Sequence, residues 1–446
     1  MRNLLLIGAG RSSSNLIQYL LQHAQAENWT LTVGDVSEEN AKSKTGGHPA
    51  ARAIRFDIQS EADRKKHVSE ADLVISLLPA HMHLPVAKEC LAQKKNLVTA
   101  SYVSAEMMEL HEDANRAGII LLNECGLDPG IDHMSAMQII DEVKNAGGTI
   151  TSFKSFTGGL VAPESNDNPW GYKFSWNPRN VILAGQGTAR YIENGQYKYI
   201  PYNRLFSSAE LIHVDGHASY DGYANRDSLS YRKHYGLENI PTMVRGTLRQ
   251  QGYCRAWNVF VQLGLTDDTY IAEGSSSLTY AQLVEAFLPS SAKGKNTAER
   301  VADFMQTNVN SPEIEMVKWT GILSDEKINL PDSTPAQILQ HLLEQKWKLR
   351  ETDKDMIVMQ HLFEYTKGGK RILHSSSLVV EGENSVYTAM AKTVGLPAAI
   401  AARLILNKKI NLTGVQIPTH HSIYEPVLKE LANYGVNFKE KQTELI

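Results

Sequence analysis

The chain has 446 residues, of which 42% are hydrophobic and 21% are charged, as in a folded globular protein. Its 45 Lys and Arg residues nearly balance 49 Asp and Glu residues, for a net charge of -4. This balance argues against general binding to nucleic acid or to an anionic membrane. We also expect no membrane span, because no apolar run approaches roughly 20 residues. At roughly 100–200 residues per domain, the length predicts two to four domains.

The three cysteines, Cys90, Cys125 and Cys254, are odd in number and far apart in sequence. This spacing argues against a disulfide framework and against a structural zinc site, so we expect reduced thiols in a cytoplasmic protein. The histidine pair at 81 and 83 and the pair at 420 and 421 lack a third ligand at a suitable spacing. We therefore predict no metal site.

Residues 1–128 alternate short apolar runs with helical patterns, which indicates βαβ units in a doubly wound parallel sheet. Strands are predicted over residues 4–7, 30–35, 54–58, 73–78, 97–100 and 119–123. Helices are predicted over residues 13–26, 85–93 and 105–117, with a short helix after the N-cap Ser37.

The pattern changes after residue 128. Residues 150–255 contain fewer long helices, and helical patterns return over 280–287, 298–307 and 336–344. Residues 355–381 predict a β-hairpin with its turn at 367–370. A helix over 384–406 is expected to break near Gly395 and Pro397. A last helix runs from the N-cap Ser422 to residue 434.

A glycine-rich turn follows the first strand and opens the first helix. It comprises Gly8, Ala9, Gly10, Arg11, Ser12 and Ser13. Gly8 permits a tight turn, Gly10 lets the backbone approach a pyrophosphate, and the helix N-terminus favours negative charge. Ser13 replaces the third glycine of the dinucleotide fingerprint. The position of the turn nevertheless predicts binding of a nicotinamide dinucleotide.

Two acidic residues mark the adenosine side of this predicted site. Asp35 ends the second strand, where a carboxylate accepts hydrogen bonds from ribose hydroxyls and repels a 2′-phosphate. It favours NAD, while Lys42 and Lys44 leave NADP open. Asp57, at the end of the third predicted strand, could meet the adenine side of the cofactor or could be a solvated loop residue.

The ends of the fourth and fifth strands are expected to line the nicotinamide half, because ligands bind outside the carboxyl ends of parallel strands. These segments carry Leu77, Leu78 and Pro79, and then Ser101 and Tyr102. The acidic, turn-rich run over 123–133 includes Leu127 and Asp128 and lies where the first domain should give way to the next. We place both residues beside the cofactor, because ligand sites favour domain junctions.

Seven segments, spread in order over nearly the whole chain, resemble the saccharopine reductases, the glutamate-forming saccharopine dehydrogenases of lysine metabolism. They are VISLLPAHMH (74–83), VTASYVSAEMMEL (98–110), NECGLDPGIDHM (123–134), SFTGGLVAPESNDNPWGYKFSWNPR (155–179), YANRDSLSYRKHYG (223–236), RGTLRQQGYCRAW (245–257) and SSLVVEGENSVYTAMAKTVGLPAAIAARLIL (376–406).

The resemblance implies three parts. A Rossmann domain would comprise residues 1–128 and 385–446, and a mixed α/β domain for substrate binding and dimerisation would comprise 129–265 and 352–384. A mostly helical subdomain would span 266–351. It also implies a homodimer without nucleic-acid or membrane partners. The reaction would join L-glutamate and 2-aminoadipate 6-semialdehyde through an imine that hydride reduces to L-saccharopine, or would run in reverse.

The resemblance also implies the substrate residues. They are Ser101, Tyr102, Arg226, Thr247, Leu248 and Arg249, with Asp128 as the leading residue for proton transfer and Tyr102 as a relay. Lys173 is a weaker candidate. Cations are needed because saccharopine carries three carboxylates. The chain departs from the family pattern at Asp35, where a basic residue commonly follows, and at Thr157, where a cysteine is common.

Two alternatives remain open. The first is another imine reductase of the same superfamily, of the carboxynorspermidine type, which would need fewer carboxylate anchors. The second is a nucleotide-binding sensor that has lost turnover. The segments around Arg226 and Arg249 count against the first alternative, and the intact substrate motifs count against the second.

Overall fold

The structure of the protein is a computed structural model that describes residues 1–331 and 333–445. Its strands are β1 (Arg2–Ile7), β2 (Trp29–Asp35), β3 (Ala51–Arg55), β4 (Leu73–Ser76), β5 (Asn96–Thr99), β6 (Ile120–Leu122), β7 (Thr149–Val161), β8 (Ala189–Glu193), β9 (Gln196–Ile200), β10 (Glu210–His213), β11 (Ser219–Ala224), β12 (Thr242–Gln250), β13 (Asp355–Lys367), β14 (Lys370–Glu381), β15 (Gly414–Gln416) and β16 (Lys439–Leu445).

Its helices are α1 (Ser14–Glu27), α2 (Glu38–Thr45), α3 (Glu61–Ser69), α4 (His83–Ala92), α5 (Ala105–Met108), α6 (His111–Ala117), α7 (Ile131–Asn145), α8 (Pro178–Ile182), α9 (Tyr202–Leu205), α10 (Tyr231–His234), α11 (Tyr253–Gln262), α12 (Tyr280–Phe287), α13 (Thr297–Phe304), α14 (Pro312–Thr320), α15 (Pro335–Lys346), α16 (Ala389–Leu406) and α17 (His421–Ala432).

The chain divides into two units. The first unit comprises Met1–Ile150, Thr366–Gly369 and Leu378–Lys439, and the second unit comprises Thr151–Tyr365, Lys370–Ser377 and Glu440–Ile446. Helices α12 to α15, from the predicted helical subdomain, lie within the second unit. The three-part division implied by the resemblance stays a prediction.

A parallel sheet forms the core of the first unit, and among the described residues its strand order is β15-β6-β5-β4-β1-β2-β3. The residues Leu4, Leu5, Leu6 and Ile7 of β1 are at most 1% exposed, as expected for a central strand. The order reverses between β1 and β4, and a ligand binds at such a point, outside the carboxyl ends of the strands. The predicted doubly wound sheet is confirmed. The sequence analysis missed β15, because its three residues are too few to show a period.

Two local predictions are wrong in the first unit. The helix predicted over 105–117 consists of α5 and α6, since Leu110 packs against the core beneath the sheet and turns the chain between them. The N-cap of α17 is His420 rather than Ser422, because Nδ1 of His420 accepts the backbone N–H of Ser422 at 3.2 Å. Helix α17 packs against α7 and α16 within this unit.

Helix α16 is continuous, so the predicted break near Gly395 and Pro397 is wrong. Gly395 allows close packing instead, because an added Cβ would lie 3.0 Å from Cβ of Leu16 and 3.1 Å from the carbonyl oxygen of Ser12. Burial of the helix outweighs the one hydrogen bond that Pro397 cannot donate. Among the described residues this helix alone is long and apolar enough to cross a membrane, with a mean hydropathy of 1.5. Of its 18 residues, 72% are buried inside the protein, and the core helix of a globular protein can have the same length and composition.

The second unit contains a mixed sheet with the order β10-β11-β12-β7-β13-β14-β16, and β8 pairs with β12 and β9. The predicted hairpin is formed by β13 and β14. A cluster of aromatic side chains packs between α11, the end of α15 and the loop that holds Trp170. The indole of Trp170 is fully buried, and its ring centroid lies 5.3 Å from those of Tyr253 and Trp347 and 5.5 Å from that of Phe260.

Candidate active site

The glycine-rich turn joins β1 to α1 in a geometry that requires glycine at its first position. Gly8 has φ +103°, and an added Cβ would lie 3.0 Å from the carbonyl oxygen of Leu77. A Cβ on Gly10 would meet nothing within 4 Å, which leaves open space in front of the turn. The buried Ser13 donates its hydroxyl hydrogen to the carbonyl of Gly10 at 2.8 Å. The turn therefore fits a pyrophosphate at the N-terminus of α1.

Two other residues of the turn, Arg11 and Ser12, precede the helix. Residues Arg11–Ser13 form a short 3-10 turn that continues into α1, and Arg11 is exposed. The carbonyl of Ser12 faces Gly395 of α16. The predicted cofactor residues Gly8 to Ser13 thus form one continuous turn.

Asp35 ends β2, as predicted, but its carboxylate has structural partners. One oxygen accepts the N–H of Ala9 at 2.8 Å and the other accepts the N–H of Ser37 at 3.0 Å. The carboxylate thereby ties the end of β2 to the glycine turn. The nearby lysines also have partners, since Lys42 pairs with Glu38 at 2.7 Å and Lys44 donates to the Ser14 hydroxyl at 2.6 Å.

Asp57 does not end the third strand, because β3 stops at Arg55. The chain turns after the buried Phe56, and Oδ1 of Asp57 accepts the N–H of Gln59 at 2.9 Å. The structure therefore places Asp57 in a loop that it helps to close. Its predicted contact with the adenosine stays a prediction.

The ends of β4 and β5 lie side by side, since Ser76 pairs with Thr99 in the sheet. Leu77 and Leu78 are half-buried beyond β4, and Pro79 is exposed. Ser101 and Tyr102 follow β5, and the Tyr102 side chain is 48% exposed. These are positions where a ligand at the carboxyl edge of the sheet could reach them.

Tyr102 and Asp128 meet in the first unit. The phenol of Tyr102 donates to Oδ1 of Asp128 at 2.9 Å. The preceding residue, Leu127, is 5% exposed, and its carbonyl accepts the N–H of Asp132 at the start of α7 at 3.0 Å. The two residues predicted for proton transfer are thus in direct contact.

A buried residue that the sequence analysis missed holds this pair in place. Glu124 has φ +57°, its N–H donates to the carbonyl of Ser101 at 3.0 Å, and Oε1 accepts the N–H of Val103 at 3.0 Å. It therefore fixes the backbone on both sides of Tyr102. Its other oxygen, Oε2, lies 2.8 Å from Nε2 of His133, and both side chains are at most 1% exposed.

The predicted substrate residues of the second unit have contrasting surroundings. Lys173 is buried, and its ammonium lies 2.7 Å from Asp353 and 2.9 Å from Asp167. Arg226 is exposed. Within residues 1–331 and 333–445, its guanidinium has no hydrogen-bond or ion-pair partner.

Arg249 is 4% exposed and its Nη1 donates to the carbonyl of Leu248 at 3.0 Å. The guanidinium carbon lies 5.4 Å from the ring centroid of Tyr172, 5.9 Å from that of Tyr223 and 5.5 Å from that of Tyr253. Its Nε is buried and has no hydrogen-bond partner in the described part of the chain. The guanidinium is therefore held in an aromatic cage.

Thr247 and Leu248 complete the predicted substrate segment on β12. The Thr247 hydroxyl donates to Oδ1 of Asn225 at 2.7 Å, and the Leu248 side chain is fully buried. The roles predicted for this segment, for Lys173 and for Arg226 stay predictions.

The thiols of Cys90, Cys125 and Cys254 are all buried, and none of them forms a disulfide bond among the described residues. Burial raises the pKa of each thiol well above its ordinary value, so these thiols are poor nucleophiles. A search of the described residues finds no group of acidic, histidine and cysteine side chains that could hold a metal ion.

Comparison with known proteins identifies the chain's relatives. Residues 4–122 match the saccharopine dehydrogenase NADP binding domain, and residues 126–436 match the saccharopine dehydrogenase C-terminal domain. The saccharopine dehydrogenase (NADP+, L-glutamate-forming) of Schizosaccharomyces pombe is 36% identical over 99% of both chains. The mitochondrial alpha-aminoadipic semialdehyde synthase of Rattus norvegicus is 35% identical over 99% of this chain and 48% of that protein.

Solved structures agree with this relationship. Apo saccharopine dehydrogenase (L-Glu forming) from Saccharomyces cerevisiae has a TM-score of 0.89 and 32% identity, covering 99% of this chain and 100% of that chain. A homospermidine synthase from Legionella pneumophila has a TM-score of 0.59 at 9% identity, over 99% of this chain and 91% of that chain. The second likeness shows a shared fold and no more.

The preference for NAD that we drew from Asp35 has no support in these comparisons. The family description and the fungal relatives specify NADP. Both oxygens of Asp35 accept backbone N–H groups, so the turn alone accounts for a carboxylate at this position, and its presence is not by itself evidence for NAD.

Proposed function

Because the chain belongs to the saccharopine dehydrogenase family, we propose that it is an L-glutamate-forming saccharopine dehydrogenase with NADP as its cofactor. It is an oxidoreductase that acts on the CH–NH bond of L-saccharopine. The observation that carries this proposal is the Tyr102–Asp128 hydrogen bond, which lies in the same unit as the nucleotide-binding turn. An acid–base pair beside a nucleotide site is what imine chemistry needs.

The overall reaction consumes L-saccharopine, the oxidised cofactor and water. It yields L-glutamate, 2-aminoadipate 6-semialdehyde, the reduced cofactor and one proton. When bound, the nicotinamide cofactor would supply the hydride chemistry, and the carbon that is oxidised is the one that becomes the aldehyde, next to the secondary amine. Oxidation of that carbon gives an imine, and attack by water then breaks the carbon–nitrogen bond. The opposite direction joins the two products and reduces the imine.

Asp128 is the proposed proton acceptor. Its Oδ1 already receives a hydrogen bond from Tyr102, so the pair can pass a proton between the substrate amine, the attacking water and the phenol. The part of the pair nearest to solvent is Tyr102, which is 48% exposed. Tyr102 is therefore the proposed relay, and Asp128 is the group that stores the proton.

The proposed cofactor contacts are those of the glycine turn and the strand ends in the first unit. The turn of Gly8, Gly10 and Ser13 would hold the pyrophosphate at the N-terminus of α1. Gly8 makes the tight turn and Gly10 lets the backbone approach the ligand, while the N–H groups of Gly8 and Ser13 donate to the carbonyls of Gly34 and Gly10. Leu77, Leu78, Pro79 and Ser101 would flank the nicotinamide half, as the positions after β4 and β5 suggest.

Arg226 is the proposed anchor for a substrate carboxylate in the second unit. Its guanidinium is exposed and has no ion-pair partner among the described residues, so a bidentate contact would cost no existing interaction. Lys173 is already neutralised by two carboxylates, which favours a structural role for it. The homodimer and the cytoplasmic location stay predictions, and light scattering on the purified chain would test the former.

The test is the absorbance of the reduced nicotinamide when purified protein is mixed with L-saccharopine and either NADP or NAD. We expect reduction, with a higher rate for NADP. Oxidation of NADPH with polyamine-type imines, without any reduction of NADP by L-saccharopine, would favour the related imine reductase. Binding of NADPH without turnover of either substrate class would favour the sensor.

A further inference from the structure

A buried imidazole connects the ends of two strands in the first unit. His83, the first residue of α4, is 3% exposed. Its Nδ1 lies 2.9 Å from the hydroxyl of Ser76, at the end of β4, and its Nε2 lies 2.7 Å from the hydroxyl of Ser101, beyond β5. The hydroxyl of Thr99 lies 3.2 Å from the same Nε2. His83 belongs to the H-x-H pattern whose metal role the sequence argued against, so its function needs another explanation.

The protonation of this ring decides what Ser101 can offer to a ligand. Burial, with a smaller contribution from His81, lowers the pKa of His83 from 6.5 to about 4, so the ring is neutral near neutral pH. A neutral imidazole has one N–H donor and one acceptor nitrogen. If Nδ1 accepts the Ser76 hydroxyl, Nε2 donates to Ser101, and the hydroxyl hydrogen of Ser101 is free to point elsewhere.

The opposite tautomer has a different consequence. If Nδ1 donates to Ser76, Nε2 becomes an acceptor, for the Ser101 hydroxyl at 2.7 Å or the Thr99 hydroxyl at 3.2 Å. A Ser101 hydroxyl that donates to Nε2 can then only accept further hydrogen bonds. A carboxylate or amide oxygen on a ligand needs a donor, so the two tautomers present opposite chemistry at Ser101. Since His83 is too buried to touch a ligand, it can act only through Ser101.

We propose that His83 is a positioning residue that donates from Nε2 to Ser101 and so orients the Ser101 hydroxyl hydrogen toward a carboxylate or amide oxygen of the bound substrate or cofactor. This proposal rests on the proposed function, in which Ser101 contacts the ligand. The H-x-H pattern then serves hydrogen-bond orientation, with the exposed His81 outside the network.

The first test is a double-mutant cycle on kcat/KM for L-saccharopine with NADP. His83→Leu removes both ring nitrogens and should lower kcat/KM by roughly three- to tenfold, the range of one neutral hydrogen bond. His83→Gln keeps a donor near the position of Nε2 and should recover most of that loss. In a Ser101→Ala background, adding His83→Leu or His83→Gln should give equal kcat/KM values, because the hydroxyl that His83 orients is already absent. His81→Gln is the matched control and should leave kcat/KM unchanged.

The cycle can overturn the proposal. An equal loss from His83→Leu with and without the Ser101 hydroxyl would show that His83 acts by another route. Full activity of Ser101→Ala would remove the contact on which the proposal depends while leaving the proposed function intact. Thermal unfolding of each variant separates these effects from loss of the fold.

A second measurement does not depend on activity. Nitrogen-15 NMR of histidine-labelled wild-type protein distinguishes the two neutral tautomers, and the His83→Gln spectrum assigns the signal. We expect the proton on Nε2. A proton on Nδ1 would overturn the proposal even if saccharopine were turned over. The Nε2 tautomer in a protein that does not turn over saccharopine would support the hydrogen-bond network and reject the proposed function.

Discussion

The first and second units hold their polar groups by different means. In the first unit Ser101, Tyr102 and Asp128 follow strand ends and are held by buried partners, among them His83 and Glu124. In the second unit the candidate cations range from the exposed Arg226 to Arg249, which is enclosed by tyrosine rings. The comparison teaches that residue type alone does not reveal how a side chain is held, since two arginines predicted for one substrate have opposite surroundings.

The contrast is sharpest between the two arginines. Both were assigned to the substrate by the same resemblance, yet Arg226 has no ion-pair partner among the described residues and Arg249 is 4% exposed. Arg226 can bind a carboxylate without rearrangement. The guanidinium of Arg249 is surrounded by tyrosine rings, so it could contact a substrate carboxylate only if the rings leave one side of it open. Its contributions to stability and to substrate binding therefore have to be measured separately.

The largest expected effect belongs to the first unit. Asp128→Asn should lower kcat for saccharopine oxidation by roughly 100- to 10,000-fold, because an amide cannot accept the proton. Its matched control is Asp113→Asn, an exposed residue of α6 in the same unit, which should stay within twofold of wild type. Steady-state kinetics with both variants measures the difference. Equal kcat values for Asp128→Asn and wild type would remove Asp128 from the chemistry.

The next prediction compares the two arginines, one expected to affect stability and the other substrate binding. Arg249→Ala should reduce the free energy of unfolding by about 2–5 kcal/mol, since it empties a buried cage. Arg226→Ala should leave stability unchanged and raise KM for saccharopine by roughly tenfold or more, as loss of a charged hydrogen bond does. Urea unfolding and KM are the two measurements.

Arg249→Met fills the cage without the charge and separates the two roles of Arg249. If Arg249→Met has the wild-type free energy of unfolding but a KM for saccharopine above that of wild type, Arg249 also binds substrate. If stability and KM both return, its role is confined to the fold. A KM for Arg226→Ala equal to that of wild type would contradict the proposed carboxylate anchor.

The sequence was informative where a period or a strand end marks the position. Apolar runs predicted β1 to β6 within a few residues, and Tyr102 was named because it follows a strand. Asp128 was named because it lies in the turn-rich run where the first domain should give way to the next. The contact between them could not be predicted, because it depends on Glu124 at φ +57°, a conformation that a glutamate rarely adopts. An acid within the turn-rich run at 123–133 was the only signal for Glu124.

Contacts distant in sequence explain the other errors. The partners of His83 lie 7 and 18 residues away, so the H-x-H spacing says nothing about them. Gly395 was read as a helix breaker because glycine often is one. Its packing against Leu16 of α1, which explains the glycine, could not be seen because Leu16 is far from it along the chain. The aromatic cage of Arg249 combines residues from three segments. Local patterns cannot show which distant side chains surround a residue.

A smaller effect concerns stability in acid, and it comes from the first unit's buried network. Because the pKa of His83 falls from 6.5 to about 4 on folding, the unfolded chain binds this proton first as the pH decreases. Above pH 6.5 the ring is neutral in both states and adds no pH dependence. Between pH 6.5 and about pH 4 only the unfolded chain binds the proton, so the free energy of unfolding falls by about 3 kcal/mol over this range. Urea unfolding across this range should show a shallower slope for His83→Gln, whereas the exposed control His81→Gln should keep the wild-type slope.

The smallest effect compares two glycines of the same turn. Gly8→Ala should cost about 1–3 kcal/mol of stability, because alanine at φ +103° is strained and its Cβ would press on the Leu77 carbonyl. A Cβ on Gly10 meets open space, so Gly10→Ala should unfold like wild type. It should instead weaken NADPH binding by roughly tenfold, about 1.4 kcal/mol, because the methyl group occupies space needed by the pyrophosphate. Fluorescence titration with NADPH and urea unfolding test both variants, and unchanged NADPH affinity in Gly10→Ala would move the pyrophosphate away from this turn.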